Sequence, residues 1–448
     1  MSEINLDYSS NTPLLPEVRQ AMIAALDGAG AAVVACERED PHRAEGPASK
    51  TLPRQAPTDH LANPSSLHAG GRGARQKLEQ ARKQVAALIN AKPAEISFTS
   101  CGTESNNWAI KGLLAANKRK GSHLIISSIE HPSVLLAAKR IERDGGDVTY
   151  LPATSAGIVE PETLKAALKP TTALVSIMHA NGEVGTIEPI TELARVAHEA
   201  GALFHTDAIA SVGHIPVDVR ALGVDALSLA ANQFYGPAGA AALYVRDGVR
   251  ILPLLEGGGQ ETGARSGTEN LVGIVGMGAA TELAKRQMSE RVAHVSRLRD
   301  RLKAGLTERL EDIRFNGAFG SVGRHLAEAG ISRASPAMAE VPAEADGSWT
   351  SRLPQNLHLC VQGVSSESLV LGLDEAGIAV GIGSACNSKA MRPSHVLKAI
   401  GLSDAETQGA ILLSIGMQTT DEEIERALEI IPTIVARLRR VTAPTLVQ

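Results

Sequence analysis

The stretch Asp225-Ala-Leu-Ser-Leu-Ala-Ala-Asn-Gln-Phe-Tyr-Gly-Pro-Ala-Gly239 decides the fold. A mostly apolar run ends at Ala231, and two polar residues follow, Asn232 and Gln233. A Gly-Pro-x-Gly turn then feeds a second apolar strand over 240–245. Upstream, apolar strands are expected at 95–99, 123–127, 147–151, 172–178, 203–207 and 225–230. Helical spacing lies between them, at 75–89, 103–116, 133–144, 160–168 and 191–200. Apolar strands alternating with helices imply an α/β fold whose mostly parallel sheet is covered on both faces. In such sheets ligands bind beyond the strand ends, so polar residues just after strands are where chemistry is expected.

The pattern changes after about residue 257. A Gly-rich loop, Gly257-Gly-Gly-Gln-Glu-Thr-Gly-Ala-Arg-Ser-Gly-Thr268, leads into a long helical region over 271–310. Strands at 356–362, 379–381 and 411–415 and helices at 367–376, 394–400 and 421–441 then suggest a smaller α+β module. The expected division is a large domain over 14–264, with residues 1–13 and 265–448 forming the small one. Two segments lack a sustained period, 27–62 and 316–352, and both read as insertions.

Composition excludes several classes. The chain has 448 residues, 44 basic against 49 acidic, so no net positive field draws it to nucleic acid or an anionic membrane. Aromatics make up 2%, too few for a base-stacking platform. Four cysteines (Cys36, Cys101, Cys360, Cys386) are scattered without a CxxC pair, which suits a reducing compartment and argues against a four-thiolate zinc site. No secretory leader and no apolar run of membrane-spanning length is visible, so a cytoplasmic location is expected.

Polar groups collect at the strand ends. Ser100-Cys-Gly-Thr-Glu-Ser105 lies between a strand and a helix, where free N–H groups and the helix dipole favour an anion and Gly102 permits close approach. Taken alone, a Thr103 helix cap is the commoner use. Asp207 ends a strand and can pair with a protonated ring nitrogen. Glu130-His131-Pro132 and His179-Ala-Asn181 follow two others.

Together with Asn63-Pro-Ser-Ser-Leu-His68, Ala180-Asn-Gly-Glu-Val-Gly185, His205-Thr-Asp-Ala208, Arg265-Ser-Gly-Thr268 and Gly383-Ser-Ala-Cys-Asn-Ser388, these motifs resemble the NifS/IscS-type cysteine desulfurases. That group comprises pyridoxal-phosphate (PLP) enzymes of the class V aminotransferases. The resemblance covers nearly the whole chain outside the two insertions. It implies a fold-type-I PLP-dependent transferase, aspartate aminotransferase-like, working as a homodimer in sulfur mobilisation or iron–sulfur cluster assembly. It also implies a sulfur-acceptor or scaffold partner. Carried over residue by residue, Gly102 and Thr103 would bind the cofactor phosphate and His131 would stack on the ring. Asp207 would pair with the ring nitrogen, and Asn181 would contact the ring hydroxyl or substrate. Thr268 would reach the phosphate of the neighbouring subunit. Cys386 would attack the substrate sulfur and hold a persulfide, with iron–sulfur ligation as a lesser alternative.

Six positions depart from that pattern. The cofactor-bearing lysine is Gln233, whose amide nitrogen cannot form an imine because its lone pair is delocalised. The preceding histidine is Asn232, a phosphate-binding serine is Ala230, and a glutamine near the ring is Ala210. The substrate-carboxylate arginine is Leu412, and a second lysine after Gly-Pro is Ala238. Losses spread over residues 210–412 suggest a site relieved of ordinary desulfurase chemistry. Three readings compete: a binding or scaffold protein without PLP catalysis, an enzyme holding PLP noncovalently for another substrate, and a weak desulfurase. Lys389, three residues past Cys386, reads as a solvated loop lysine.

Overall fold

Residues 3–27, 62–319, 351–383 and 393–442 are described in the computed structural model of the chain. Most of both expected insertions, and with them Cys36, Cys386 and Lys389, lie outside the described residues. The chain opens with β1 (Ile4–Leu6) and α1 (Pro16–Leu26), followed by α2 (Ala69–Leu88). The alternating part then runs β2 (Ile96–Thr99), α3 (Gly102–Ala116), β3 (His123–Ser127), α4 (Pro132–Arg143), β4 (Val148–Leu151) and α5 (Pro161–Ala167). It continues through β5 (Thr172–Ser176), α6 (Ile190–Glu199), β6 (Leu203–Asp207), α7 (Val219–Leu222), β7 (Ala226–Ala230) and β8 (Ala241–Val245).

Seven of these strands form one sheet in the order β2-β8-β7-β6-β5-β3-β4. Strands β7, β6, β5, β3 and β4 are parallel, and β8 is antiparallel to both β7 and β2. The Gly-Pro-x-Gly turn of the opening stretch is thus the hairpin between β7 and β8, with Gly239 in the left-handed region at φ 81°. Every residue of β3, β5 and β7 is buried, as expected for strands covered on both faces. One face packs on α3 and α4 through Trp108, Leu113 and Val134. The other packs on α2, α6 and the start of α8 (Leu271–Arg309) through Val85, Leu193 and Met277. Each such side chain contributes about 1.5–3 kcal/mol when removed from water.

The 39-residue α8 joins two cores. Its first turns place Leu271, Ile274 and Met277 in the large core, whereas Val295, Leu298, Leu302 and Leu306 enter the small one. That second core is completed by β9 (Ile313–Phe315), β10 (Asn356–Val361), β11 (Ile378–Val380), β12 (Ala410–Ser414) and the amphipathic C-terminal helix Asp421–Thr442. The order β12-β10-β9 is antiparallel. β1 pairs in parallel with β11, and the turn after it docks just beyond the end of β7. There the Thr12 amide and Oγ1 both donate to Asn232 O, at 3.0 and 2.8 Å. β1 and β9 escape periodicity analysis because three residues carry no resolvable period.

The flanks of the second expected insertion are woven into the fold. Arg352 is buried and donates to Ala318 O, Asn356 Oδ1 and Asn316 O, and Asn316 is itself buried.

Candidate functional site

Four neighbouring strand ends converge on one cavity of about 370 Å³. Ile129–His131 enter after β3, Met178, Ala180 and Asn181 after β5, Asp207 ends β6, and Ala230 ends β7, whereas His179 does not line the cavity. The N-terminus of α3 supplies Gly102 and Thr103, residues 8–10 form one rim, and Leu412 comes across from β12 of the three-stranded sheet. The polar strand ends therefore gather around one cavity.

Asp207 is 5% exposed at the cavity floor. Its Oδ2 accepts from Asn106 Nδ2 at 2.6 Å and its Oδ1 from the Ile209 amide at 3.0 Å. Burial pushes its carboxyl above the usual range, opposed by the charge of His131 and by these two donors. His131 caps α4, its Nδ1 accepting from the Ser133 amide at 3.1 Å, and lines the cavity. Both walls of this part are thus set by backbone: a strand terminus for Asp207 and a helix cap for His131.

Gly102 opens α3, and a Cβ there would lie 2.1 Å from Ile209 Cδ1 and 3.8 Å from Ala230 Cβ. Thr103 is exposed beside it and lines the cavity. Asn181 also lines the cavity, but its carboxamide is engaged by the protein. Its Oδ1 accepts from the Glu183 and Val184 amides, both at 2.9 Å, and its Nδ2 donates to Ile129 O at 3.0 Å. Gln233 Nε2 donates to Ser9 O at 3.0 Å, fastening the N-terminal rim rather than presenting a reactive group. Thr268 is exposed in the loop before α8 and is not among the residues lining this cavity. Ala210, Ala230, Asn232 and Leu412 all line it, whereas Ala238 is exposed on the β7–β8 turn. Cys386 lies outside the described residues, so no geometry is assigned to its thiol.

Other contributors were assigned no role from the sequence. Glu183 is buried at the cavity edge, pushed up to about 7 by desolvation and opposed by a hydrogen bond from Ser394. Glu130, just before His131, is fully buried and pushed up to about 8 despite accepting from Ser127 Oγ and the Met178 amide. His214 Nε2 donates to Gln233 O at 2.7 Å. Burial holds His214 down to about 4. Gln355 arrives from just before β10. Adjacent motifs hinted at Glu130 and Glu183, but nothing local marked His214 or Gln355. Among the described lining residues there is neither Lys nor Arg. No group of three or more metal-ligating side chains occurs among the described residues, and none of their helices is long and apolar enough to cross a membrane.

Residues 54–326 match the family model described as aminotransferase class-V. The chain is 40% identical over 440 residues to "Cysteine desulfurase IscS" of Dictyoglomus turgidum, covering 98% of this chain and 96% of that protein. It is 42% identical over 388 residues to the protein of the same name from Methanosarcina thermophila, covering 87% and 88%. The chain belongs to the IscS/NifS cysteine desulfurase family. Its fold matches a solved NifS-like protein with a TM-score of 0.77 at 31% identity, over 97% of this chain and 100% of that one. A NifS-like protein of Rickettsia africae aligns with a TM-score of 0.74 at 26% identity, over 97% and 99%. The α/β fold expected from strand alternation, with its small antiparallel sheet, is that of this desulfurase family.

The family uses PLP, and the two ends of the cavity answer differently to it. The ring end fits: a buried carboxylate, Asp207, stands at the floor with no Lys or Arg among the described lining residues to pair it. The phosphate end retains the α3 terminus and Thr103, but Ile209 Cδ1 and the Ala230 methyl occupy its flank.

Proposed function

We propose that this desulfurase-family chain serves sulfur mobilisation without turning cysteine over through PLP, and that Cys386 carries or accepts sulfur. The observation that supports this reading is position 233. A carboxamide nitrogen has no available lone pair for attack on an aldehyde, and Gln233 Nε2 is held by Ser9 O. Leu412 supports it independently: a buried leucine on the cavity wall offers no charge-assisted fork to a substrate carboxylate. Bound PLP supplies an electron sink. Around it, Asp207 would pair with the ring nitrogen, His131 would stack on the ring, and Thr103 with the α3 terminus would hold the phosphate. A homodimer is part of the proposal, with Thr268 reaching the neighbouring subunit, as is a thiol-bearing sulfur partner.

The test is sulfide release from cysteine by purified chain supplemented with PLP, read beside its visible absorbance. No sulfide above background and no borohydride-fixed cofactor on any lysine are expected. Sulfide release at a steady rate, or a lysine-linked cofactor, would refute the loss of turnover. For Cys386, incubation with a low-molecular-weight persulfide should add one sulfur atom to wild type but not to Cys386→Ala. Equal labelling of both refutes the carrier role.

A further inference from the structure

Glu183 stands where a turn after β5, the start of β10 and a short helix meet at the cavity edge. Its backbone is committed to the protein: the amide donates to Asn181 Oδ1 at 2.9 Å, and the carbonyl accepts from Asn356 Nδ2 at 3.0 Å. The side chain leaves this fixed frame and is buried. Its carboxyl accepts from the Ser394 hydroxyl. That hydroxyl oxygen accepts in turn from the Val396 and Leu397 amides, at 3.1 and 3.3 Å, and so caps the helix His395–Ala399. Gly383 packs on the stem, where a Cβ would come within 2.6 Å of Glu183 Cγ.

A helix of five residues has no stability of its own, so docking decides whether it persists. It docks through Val396, Leu397 and Ile400, which join Ile129, Met178 and Val184 in a small apolar cluster. His395 Nε2 adds a hydrogen bond to Glu130 O at 2.9 Å. The groups facing Glu183 do little for a negative charge. From β10, His358 Nε2 stands 3.9 Å from Glu183 Oε1, too far for a hydrogen bond. Burial holds His358 down to about 3 and pushes Cys360 up to about 11, so both are neutral near pH 7. Arg352, just before β10, gives its guanidinium to Ala318 O, Asn316 O and Asn356 Oδ1. On the helix, burial lowers His395, and Lys398 pairs with Asp404. Glu130, whose carbonyl holds His395, is itself pushed up to about 8. Desolvation therefore dominates at Glu183 and moves its carboxyl from 4.5 up to about 7.

We propose that the helix His395–Ala399 is a pH-sensitive clasp, held on the cavity edge while Glu183 keeps its proton and released as Glu183 ionises. When the helix lifts, the carboxyl reaches water and regains its ordinary value. Glu183 thus supports docking fully below 4.5, and that support is lost as pH rises through about 7. His395 works with the opposite sign, since its depressed value favours docking as pH rises. His395 and Val396 leave the cavity wall with the helix. Ser394 follows Cys386 by eight residues, so the clasp sets how the chain bearing that cysteine is anchored. This regulatory meaning rests on the carrier reading above.

The test is hydrogen exchange of the full-length wild type and Glu183→Gln between about pH 5 and pH 8. Leu397 and Ile400 amide rates, divided by the unstructured rate at each pH, give the opening constant of the helix. Taking the ratio of wild type to variant cancels His395, which both chains share. That ratio should rise about tenfold per pH unit from about pH 5 to pH 7 and then level off. Leu397 should also exchange at least about tenfold faster than Leu227 in β7, as a local opening requires. Ser394→Ala removes the tie without touching the carboxyl and should raise opening about fivefold at about pH 5, the size of one hydrogen bond. A ratio that stays flat with pH overturns the proposal, as does exchange of Leu397 no faster than Leu227. So does a Ser394→Ala chain that opens no more than wild type. Persulfide labelling separates the two readings: no sulfur on Cys386 at any pH sinks the carrier role and leaves the clasp, whereas a flat exchange ratio sinks the clasp alone.

Discussion

Replacing Glu261 by Gln should destabilise the chain by about 3 kcal/mol, the lower end of what breaking a buried ion pair costs. Arg82 donates to both carboxylate oxygens of Glu261, Nη1 to Oε2 at 2.6 Å and Nη2 to Oε1 at 2.8 Å. The side chains are 9% and 2% exposed, so water cannot replace the bond. Glu261 Oε2 also accepts from the Phe98 amide at 2.9 Å, and the Arg82 guanidinium lies 4.9 Å from the Phe98 ring centroid. A glutamine of the same size keeps one acceptor but turns an N–H toward a donor, leaving the guanidinium with only the partly exposed Glu79 carboxylate, at 3.2 Å, as a charge partner. The pair also holds strained backbone, since Glu261 and Thr262 sit at φ 47° and 58° in the loop that leads to Thr268. Each such residue costs on the order of 1–3 kcal/mol and persists only while its surroundings hold it. Urea unfolding would report the change as a lower midpoint at unchanged slope. A loss below about 1 kcal/mol, the range of exposed pairs, would refute the claim that this bridge organises the loop.

Other outcomes follow from the same geometry. Burial pushes Glu188 from 4.5 up to about 8, so the folded chain keeps a proton that the unfolded chain releases. Its contribution is therefore complete below the unfolded value and declines as pH rises toward the folded one. Glu188→Gln should gain stability over wild type between roughly pH 5 and pH 8, by on the order of 1 kcal/mol or more. Denaturant midpoints at the two pH values check this, and an advantage that does not grow with pH refutes it. Asn356 Nδ2 donates to Gly182 O and Glu183 O, both at 3.0 Å, and its Oδ1 accepts from Arg352 Nη1 at 2.8 Å. Asn356→Ala should cost about 1–3 kcal/mol by leaving those groups buried without partners, and an unchanged urea midpoint would count against it. Gln233→Ala should cost only about 1 kcal/mol, one neutral hydrogen bond, while increasing proteolytic nicking near Ser9. Unaltered nicking would mean that the amide does not fasten that rim.

Much of the site was readable because strand ends are local features. Asp207, Glu130-His131 and Gly102-Thr103 each follow an apolar run, and the sheet's parallel pairing brings those ends to one side. Asn181 was singled out for the same reason, yet its carboxamide closes its own turn. That use depends on the path of residues 181–186, which no spacing rule reports. Gln355 and Leu412 reach the cavity from β10's approach and from β12, far along the chain from the strands they face. β1 carries no local strand signal, because its partner among the described residues, β11, lies at the other end of the sequence.

By itself the sequence determined the element types, the alternation that makes the sheet, the family, and the six departures that remove an amine and a cation. These depend on residue identity and short-range periodicity, which survive without coordinates. Tertiary structure alone decided how the departures act together. It placed Gln233 on the Ser9 carbonyl, Ile209 against Gly102, and Leu412 on the wall of the same cavity as Asp207. Whether a buried polar group is satisfied depends on what long-range packing sets within hydrogen-bond reach, and no local pattern encodes that.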